Sequence, residues 1–430
     1  MNYQETLDFI HSLDKFGSRP GLDRVRKLFS YTPEVTRGKF IHVAGTNGKG
    51  SVCVMLSRIL QKAGYKTGLF TSPYITEFRE RIQINNEPVG RQTLISAVDF
   101  YMPYLKELND QGVIITEFEF LTAVAFYIFR QQNCDFVVCE TGMGGLLDST
   151  NVIERPLCSV ITRIDLDHTA VLGDTIEEIA RQKCGIIKDS GITVTAAQRE
   201  EASKVIQKTV QEQHNTLFLA QDIVLHRLDM SRRGTYFEYQ KEKMFLPLVG
   251  EHQIDNLKCA LAVIKALNLL RLRHAHITPI QIRDGLKAVV HPARFELLRE
   301  KPTIVLDGAH NKNGLEAFTN AVKKYYGGIG KTLILGLLAD KDSEALYLLR
   351  GLFKRIITTD IQNPRALDAQ ALAEKCAGLA REIEVVRNPH EAVDKALSYH
   401  DTIFICGSLY LAGEIRPYIL SLPQELNDKK

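Results

Sequence analysis

The chain has 430 residues, 45% hydrophobic and 24% charged, a balance that excludes disordered and fibrous chains and leaves room for two or three domains of about 150 residues. Lys and Arg total 54 against 51 Asp and Glu, so the net charge gives no sign of a nucleic-acid or membrane partner. No stretch reaches the roughly 18 apolar residues of a membrane helix, and the N-terminal segment lacks the apolar centre of a signal peptide. The eight cysteines form no C-x-x-C pair and mostly sit in apolar runs such as DFVVCE and TIFICG, which reads as reduced, core-packed thiols of a cytoplasmic protein.

In chain order, FIHVA (40–44) reads as a buried strand. The segment 51–62 then puts Val52, Met55, Leu56, Ile59 and Leu60 on one helical face, with Gly64 just past its end. Further strands are expected at 66–71, 135–140, 159–164 and 192–197. The stretch 216–247 reads as β-hairpins, and 253–270 returns to helix. Near His291-Pro292 the pattern restarts, with strand runs at 303–307, 332–336, 355–360, 383–387 and 402–407 separated by helical segments. Short apolar β-branched runs alternating with helices indicate an α/β fold with mainly parallel sheets. The restart indicates a second, smaller α/β domain of about 135 residues, with a boundary at 290–300.

The sharpest local signal is Gly45-Thr46-Asn47-Gly48-Lys49-Gly50-Ser51, directly after one strand and before one helix. Glycines let backbone wrap a phosphate chain, a helix N-terminus offers unpaired N–H groups, and Lys49 adds a point charge. The run departs from G-x-x-x-x-G-K-[ST], because Gly50 stands where the hydroxyl residue should follow lysine. That hydroxyl is displaced to Ser51 or comes from elsewhere. Two further strand ends carry acids, which in an open parallel sheet lie where ligands gather. Glu140 leads into a run through Asp148 to Asn151, and Asp165-Leu166-Asp167-His168 follows the strand at 159–164. Metal ligation and turn or helix capping fit each of them. Lys183 lies in a helical segment and reads as a solvated lysine. Asp307 and His310-Asn311 close the first strand of the second domain, where a cleft-facing pair and a capped turn fit equally.

Together these residues resemble the folylpolyglutamate synthase/dihydrofolate synthase family of the Mur ligase superfamily. The resemblance runs from Phe16-Gly17 to Gly413-Glu414. It rests on HVAGTNGKGS (42–51), TSPY (71–74) with FRERI (78–82), ETGMGG-LLDSTN (140–151), DLDH with LGDT (165–175), IARQKCGIIK (179–188), GEHQIDN (250–256), LDGAHN (306–311), ADKD (339–342) and CGSLYLAGE (406–414). It implies an N-terminal P-loop ATPase domain of the Mur ligase central type, 1–292, and a smaller Rossmann-like α/β ligase domain, 293–430. The implied reaction is ATP-dependent: a folate carboxylate is phosphorylated to an acyl phosphate, and the amine of L-glutamate displaces phosphate. Dihydropteroate is a second implied acceptor.

Carried over by motif, Gly45, Thr46, Asn47, Gly48, Lys49, Gly50 and Ser51 hold the ATP phosphates, while Asn256, Arg294, Asp307 and Tyr410 contact the nucleotide. Ser72, Glu140 and His168, with Ser51, match Mg²⁺ ligands. Lys49, Lys183 and His310 match catalytic positions, Lys183 being the lysine that is carbamylated in the family. Thr71, Pro73, Tyr74, Arg79, Arg81, His310 and Ser408 match the substrate side. Mg²⁺, ATP as substrate and a monovalent cation complete the implied set, acting in a cytoplasmic monomer. Two departures stand out: Ala293 replaces the family's common glycine before Arg294 and is less permissive, and Tyr74 stands where His is frequent. Another Mur-superfamily amino-acid ligase is an alternative, against which the P-loop's place only 44 residues into the chain argues. A P-loop switch protein is a second, and such a protein would not need LDGAHN or CGSLYL.

Overall fold

The computed structural model describes residues 1–13, 21–269, 276–328, 330–339 and 344–423. Phe16-Gly17, Leu270 and Asp340 to Asp342 of the ADKD motif lie outside them. Eight strands form the first sheet: β1 (Phe40–Ala44), β2 (Thr67–Phe70), β3 (Ile82–Ile84), β4 (Glu87–Pro88), β5 (Phe136–Glu140), β6 (Cys158–Ile161), β7 (Ile192–Thr195) and β8 (Thr216–Leu219). Their order is β4-β3-β2-β5-β1-β6-β7-β8. The six strands from β2 to β8 in that order pair in parallel, and β3 and β4 add an antiparallel edge. Every residue of β1 and β5 is buried, as an apolar run covered on both faces requires. The order sets β2, β5, β1 and β6 side by side. Ser72, Glu140, Gly45 and Asp165, which follow those strands, therefore meet at one sheet edge.

Two differences from the sequence expectation have local causes. The strand expected at 159–164 ends at Ile161, because Thr162 turns its hydroxyl to the Asn47 carbonyl (2.8 Å) and the Ile164 N–H donates to Gln198 Oε1 (3.0 Å). Thr216–Leu219 forms no hairpin: it pairs in parallel with β7, Ile192 opposite Thr216. Hairpins begin only with β9 (His226–Ser231), β10 (Gly234–Tyr239) and β11 (Glu242–Leu246), a separate antiparallel sheet.

The third sheet contains β12 (Glu296–Glu300), β13 (Thr303–Leu306), β14 (Lys331–Leu335), β15 (Arg355–Thr358), β16 (Glu382–Val385) and β17 (Thr402–Cys406), ordered β12-β13-β17-β14-β15-β16. Five of its strands are the expected parallel set. β12 is an addition, antiparallel to β13 at the edge. Its sequence, ELLRE, carries three charges in five residues, the composition of a protected edge rather than a core strand. Separate apolar clusters fill the two α/β units. One packs the helices Lys49–Lys62, His252–Leu269 and Pro279–Lys287 on the first sheet, and others surround β13 to β17.

Candidate active site

The loop after β1 is built on two glycines that no other residue replaces without strain. Gly45 has φ +155° and a Cβ there would stand 1.8 Å from Thr162 Oγ1; Gly48 has φ +88° and a Cβ would stand 2.1 Å from Asn256 Oδ1. Gly48 precedes the helix Lys49–Lys62, which begins two residues before the expected start. The loop is anchored from β6: Thr46 N–H donates to the Arg163 carbonyl (2.9 Å) and Thr46 Oγ1 to the Asp165 carbonyl (2.9 Å). Asp165 itself is buried against Arg163 (2.8 Å) and Arg199 (3.3 Å), an anchoring role rather than an open carboxylate.

Two lysine side-chain nitrogens converge on one carbonyl. Lys49 Nζ lies 3.1 Å from Gly45 O and Lys183 Nζ 2.9 Å from the same oxygen. Lys183 ends the short helix Ile176–Cys184, which Thr175 and Glu178 start with reciprocal caps, and it is only 4% exposed. Burial, reinforced by the Lys49 charge, pulls its pKa down from 10.5 to about 7, against Asp167 and Asp148. The solvated reading of this lysine is therefore wrong on geometry alone.

Glu140 ends β5 at 5% exposure, and Ser72 N–H donates to its Oε2 at 3.2 Å. Desolvation raises its pKa, while Lys49, the Ser72 N–H and Arg294 oppose the rise. His168 takes a left-handed conformation (φ +51°) at the head of the one-turn helix Thr169–Leu172, beside Asp167, with its side chain 49% exposed. Among the described residues, no group of three His, Cys, Asp or Glu side chains is assembled for a metal ion. The donors that do gather are a carboxylate with the Ser72 and Ser51 segments beside it, hard oxygen donors of the kind Mg²⁺ takes.

The segment after Ser72 is organised by Glu80, whose carboxylate accepts from the N–H groups of Ile75 (2.8 Å), Thr76 (3.2 Å) and Glu77 (3.0 Å). Thr71 N–H donates to Arg81 O (3.1 Å), closing the loop that contains Pro73. Arg79 is committed to Glu77 and to the Val89 carbonyl (2.7 Å). Arg81 lies over the rings of Tyr74 (5.2 Å) and Phe78 (5.9 Å), with its Nε buried and lacking a hydrogen-bond partner. Ile75 packs into the apolar cluster of the second unit, where a Cβ on Gly413 would collide with the Ile75 carbonyl.

On the facing side, Asp307 accepts N–H bonds from Phe295 and Ala309, both 2.7 Å. Desolvation lifts its pKa to about 6 against the pull of Arg294. A Cβ on Gly308 would stand 2.9 Å from Arg294 Nη1, so Arg294 lies against the LDGAHN turn. His310 Nδ1 bonds Gly308 O (2.8 Å), and Asn311 caps the helix Lys312–Tyr325. Ser408 is buried and caps Leu409–Ser421 through Tyr410 N–H (3.1 Å), while the Tyr410 side chain is 45% exposed. Asn256 donates to Gln253 Oε1 (2.9 Å) beneath Gly48. The structure thus gathers the loop 45–51, Ser72, Glu140, Lys183, Asn256 and Arg294.

His291 is a contact that nothing in the sequence singles out beyond its neighbouring departure at Ala293. Its Nδ1 shares a 3.2 Å hydrogen bond with Ser51 Oγ.

The fold and the site define a class. The Mur ligase middle domain model matches residues 111–264 and the Mur ligase glutamate ligase domain model matches residues 293–409. The dihydrofolate synthase/folylpolyglutamate synthase of Bacillus subtilis is 36% identical over 96% of this chain and 98% of its own length. The folylpolyglutamate synthase of Lacticaseibacillus casei is 36% identical over 98% and 99%. The crystal structure of Mycobacterium tuberculosis folylpolyglutamate synthase with ADP and AMPPCP superposes with a TM-score of 0.88 at 29% identity, covering 98% of this chain and 100% of that one. The chain belongs to the folylpolyglutamate synthase/dihydrofolate synthase family of ATP-dependent ligases.

Proposed function

We propose that this protein adds L-glutamate to folates at the expense of ATP, and to dihydropteroate as a second acceptor. The observation that carries the reading is the convergence of Lys49 and Lys183 on the Gly45 carbonyl, beside buried Glu140 and across from Arg294 and Asp307. A carboxylate is a poor electrophile; phosphorylation gives it a leaving group, and catalysis is mostly positioning and charge neutralisation. Gly45 to Ser51 cradle the phosphates, with Lys49 on the outer ones. Asn256, Arg294, Asp307 and Tyr410 hold the nucleoside. Glu140, Ser72, Ser51 and His168 would hold Mg²⁺, which when bound neutralises phosphate charge. Arg81, with Thr71, Pro73, Tyr74 and Arg79 around it, faces the acceptor; its unsatisfied buried Nε supports a carboxylate partner. His310 and Ser408 serve the incoming glutamate.

A lysine with pKa near 7 is substantially neutral at physiological pH, the nucleophilic form that reacts with CO₂, which supports carbamylation of Lys183. A monovalent cation belongs to the same reading. Eight free cysteines support a reducing, cytoplasmic setting; among the described residues, no helix is long and apolar enough to cross a membrane. A monomer with its domain boundary at 292/293 completes the proposal. The test is direct: incubate the pure protein with Mg²⁺, ATP and glutamate, offer tetrahydrofolate or dihydropteroate separately, and weigh the products. One glutamate gained by each acceptor is expected, and no ATP-dependent gain with either would refute the reading.

A further inference from the structure

The interdomain linker reaches the phosphate-binding loop through one side chain. His291 Nδ1 lies 3.2 Å from Ser51 Oγ, and a Cβ on Gly50 would stand 3.2 Å from His291 Cε1. The imidazole therefore lies on the bare backbone of Gly50 and ends on the next hydroxyl. This accounts locally for the departure from the usual lysine-then-hydroxyl order: a Ser or Thr side chain at 50 would crowd the ring, and the hydroxyl stands one residue later at Ser51.

The ring is half-buried against the loop, and a neutral imidazole has one ring nitrogen that donates and one that accepts. As acceptor at Nδ1, it takes the Ser51 O–H and leaves the oxygen lone pairs free; as donor, it occupies one of them. Either way it fixes the rotor of a hydroxyl that is 3% exposed. The linker holding the ring is itself fixed, with Phe295 N–H bonded to Asp307 (2.7 Å). A cavity of about 350 Å³, whose lining includes Arg232, Arg233, His291 and Arg294, adjoins it.

We infer that His291 is a positioning residue for nucleotide binding: carried on the linker, it sets the Ser51 hydroxyl for the bound phosphates and so ties phosphate affinity to linker geometry. The inference rests on reading residues 45–51 as the ATP phosphate site. Its test is calorimetric binding of AMPPCP with Mg²⁺ to the full chain, comparing the unsubstituted protein with His291→Phe, His291→Asn, Ser51→Ala and the double variant Ser51→Ala/His291→Phe. His291→Phe keeps the ring's shape without its hydrogen bond, and the loss of one such bond should weaken AMPPCP about fivefold. The KM for ATP should rise with it, while thermal stability stays level. His291→Asn, whose amide offers a polar atom near the Nδ1 position, should recover most of the affinity. On the Ser51→Ala background, His291→Phe should add nothing. Unchanged affinity in His291→Phe, or losses that add in the double variant, would overturn the inference while leaving the ATP-site reading standing. An unsubstituted protein that binds no AMPPCP would overturn both. If His291→Phe fails to fold, His291→Ala takes its place in the same comparison: weakened binding that His291→Asn largely restores and that adds nothing on the Ser51→Ala background supports the pairing, and unaltered binding in His291→Ala rejects it.

Discussion

Two residues bear most directly on the proposed phosphate site, and each makes a prediction. Gly48 touches Asn256 so closely that even a methyl group collides, and its φ of +88° strains any L side chain. Gly48→Ala should therefore abolish AMPPCP binding while the fold survives, measured by calorimetry beside circular dichroism; ordinary affinity would remove the loop from the phosphate site. Lys183 has its pKa depressed to about 7 from 10.5, so folding opposes its charged form. The cost is complete below pH 7 and fades as pH climbs toward 10.5. Urea midpoints of the unsubstituted chain should thus rise relative to Lys183→Met between pH 7 and 10, and parallel curves would contradict the shift. At constant dissolved CO₂, the carbamylated fraction should also grow from pH 6 to 8 in intact-protein mass spectra. An unmodified lysine in active enzyme would count against carbamylation. Local pattern could not promote Lys183, since a lysine in a polar helix is usually solvated; only the family motif around it did. Its burial comes from the packing of Gly145 against the 182–183 backbone and of Gly185 against Leu146, contacts distant in sequence.

At the scale of elements, the parallel strands were legible because buried β-branched runs carry their own signal. β12 and β8 were not. One is charged along its length, and the other's partner is decided by a crossover rather than by local pattern. The linker shows the same division. Its departure from glycine at Ala293 is visible in the sequence, but only the structure shows that Ala293 and Phe295 both adopt left-handed backbone, φ +54° and +48°, on either side of Arg294. That alternation turns the Arg294 side chain toward Gly308 while Asp307 holds Phe295. A left-handed alanine costs about 1–2 kcal/mol, but Ala293→Gly would lose a buried methyl worth about 0.8 kcal/mol and gain about 0.4–1 kcal/mol of unfolded-state entropy. These terms nearly cancel, so Ala293→Gly should change stability by under about 1 kcal/mol. Ala293→Val adds branching to the same backbone and volume to a fully buried site, and should cost about 2 kcal/mol or more. Denaturant midpoints of the second unit's transition distinguish the two. Equal losses would mean that the methyl group's packing, not backbone strain, governs this position.

Across the whole molecule, the proposed site is divided between two sheets, and an acyl phosphate formed at such a site must be kept from water. The first unit supplies the loop 45–51, Glu140 and Lys183; the second supplies Asp307, His310 and the turn before Tyr410. Among the described residues, surface ion pairs join them outside the site. Lys324 pairs with Glu251 (3.0 Å), and Arg232 and Arg233 pair with Glu300 (3.2 and 2.7 Å), all at exposed positions. Exposed pairs of this kind contribute about 0–1 kcal/mol each, so they steer the units without locking them. Ile75 and Val249 pack into the second unit's clusters, and residues 291–295 form the covalent connection. Such a frame should close on its substrates, with nucleotide and acceptor together stabilising an arrangement that neither holds alone. Small-angle scattering should show a smaller radius of gyration with AMPPCP, Mg²⁺ and a folate than without ligands, and AMPPCP alone should give less of the change. Raising the salt concentration should loosen the ligand-free form, because its bridging contacts are screened surface pairs, and should alter the liganded form less. Identical scattering in every state would mean that the two units already stand in their working arrangement, with shelter for the intermediate coming from the 71–81 loop alone.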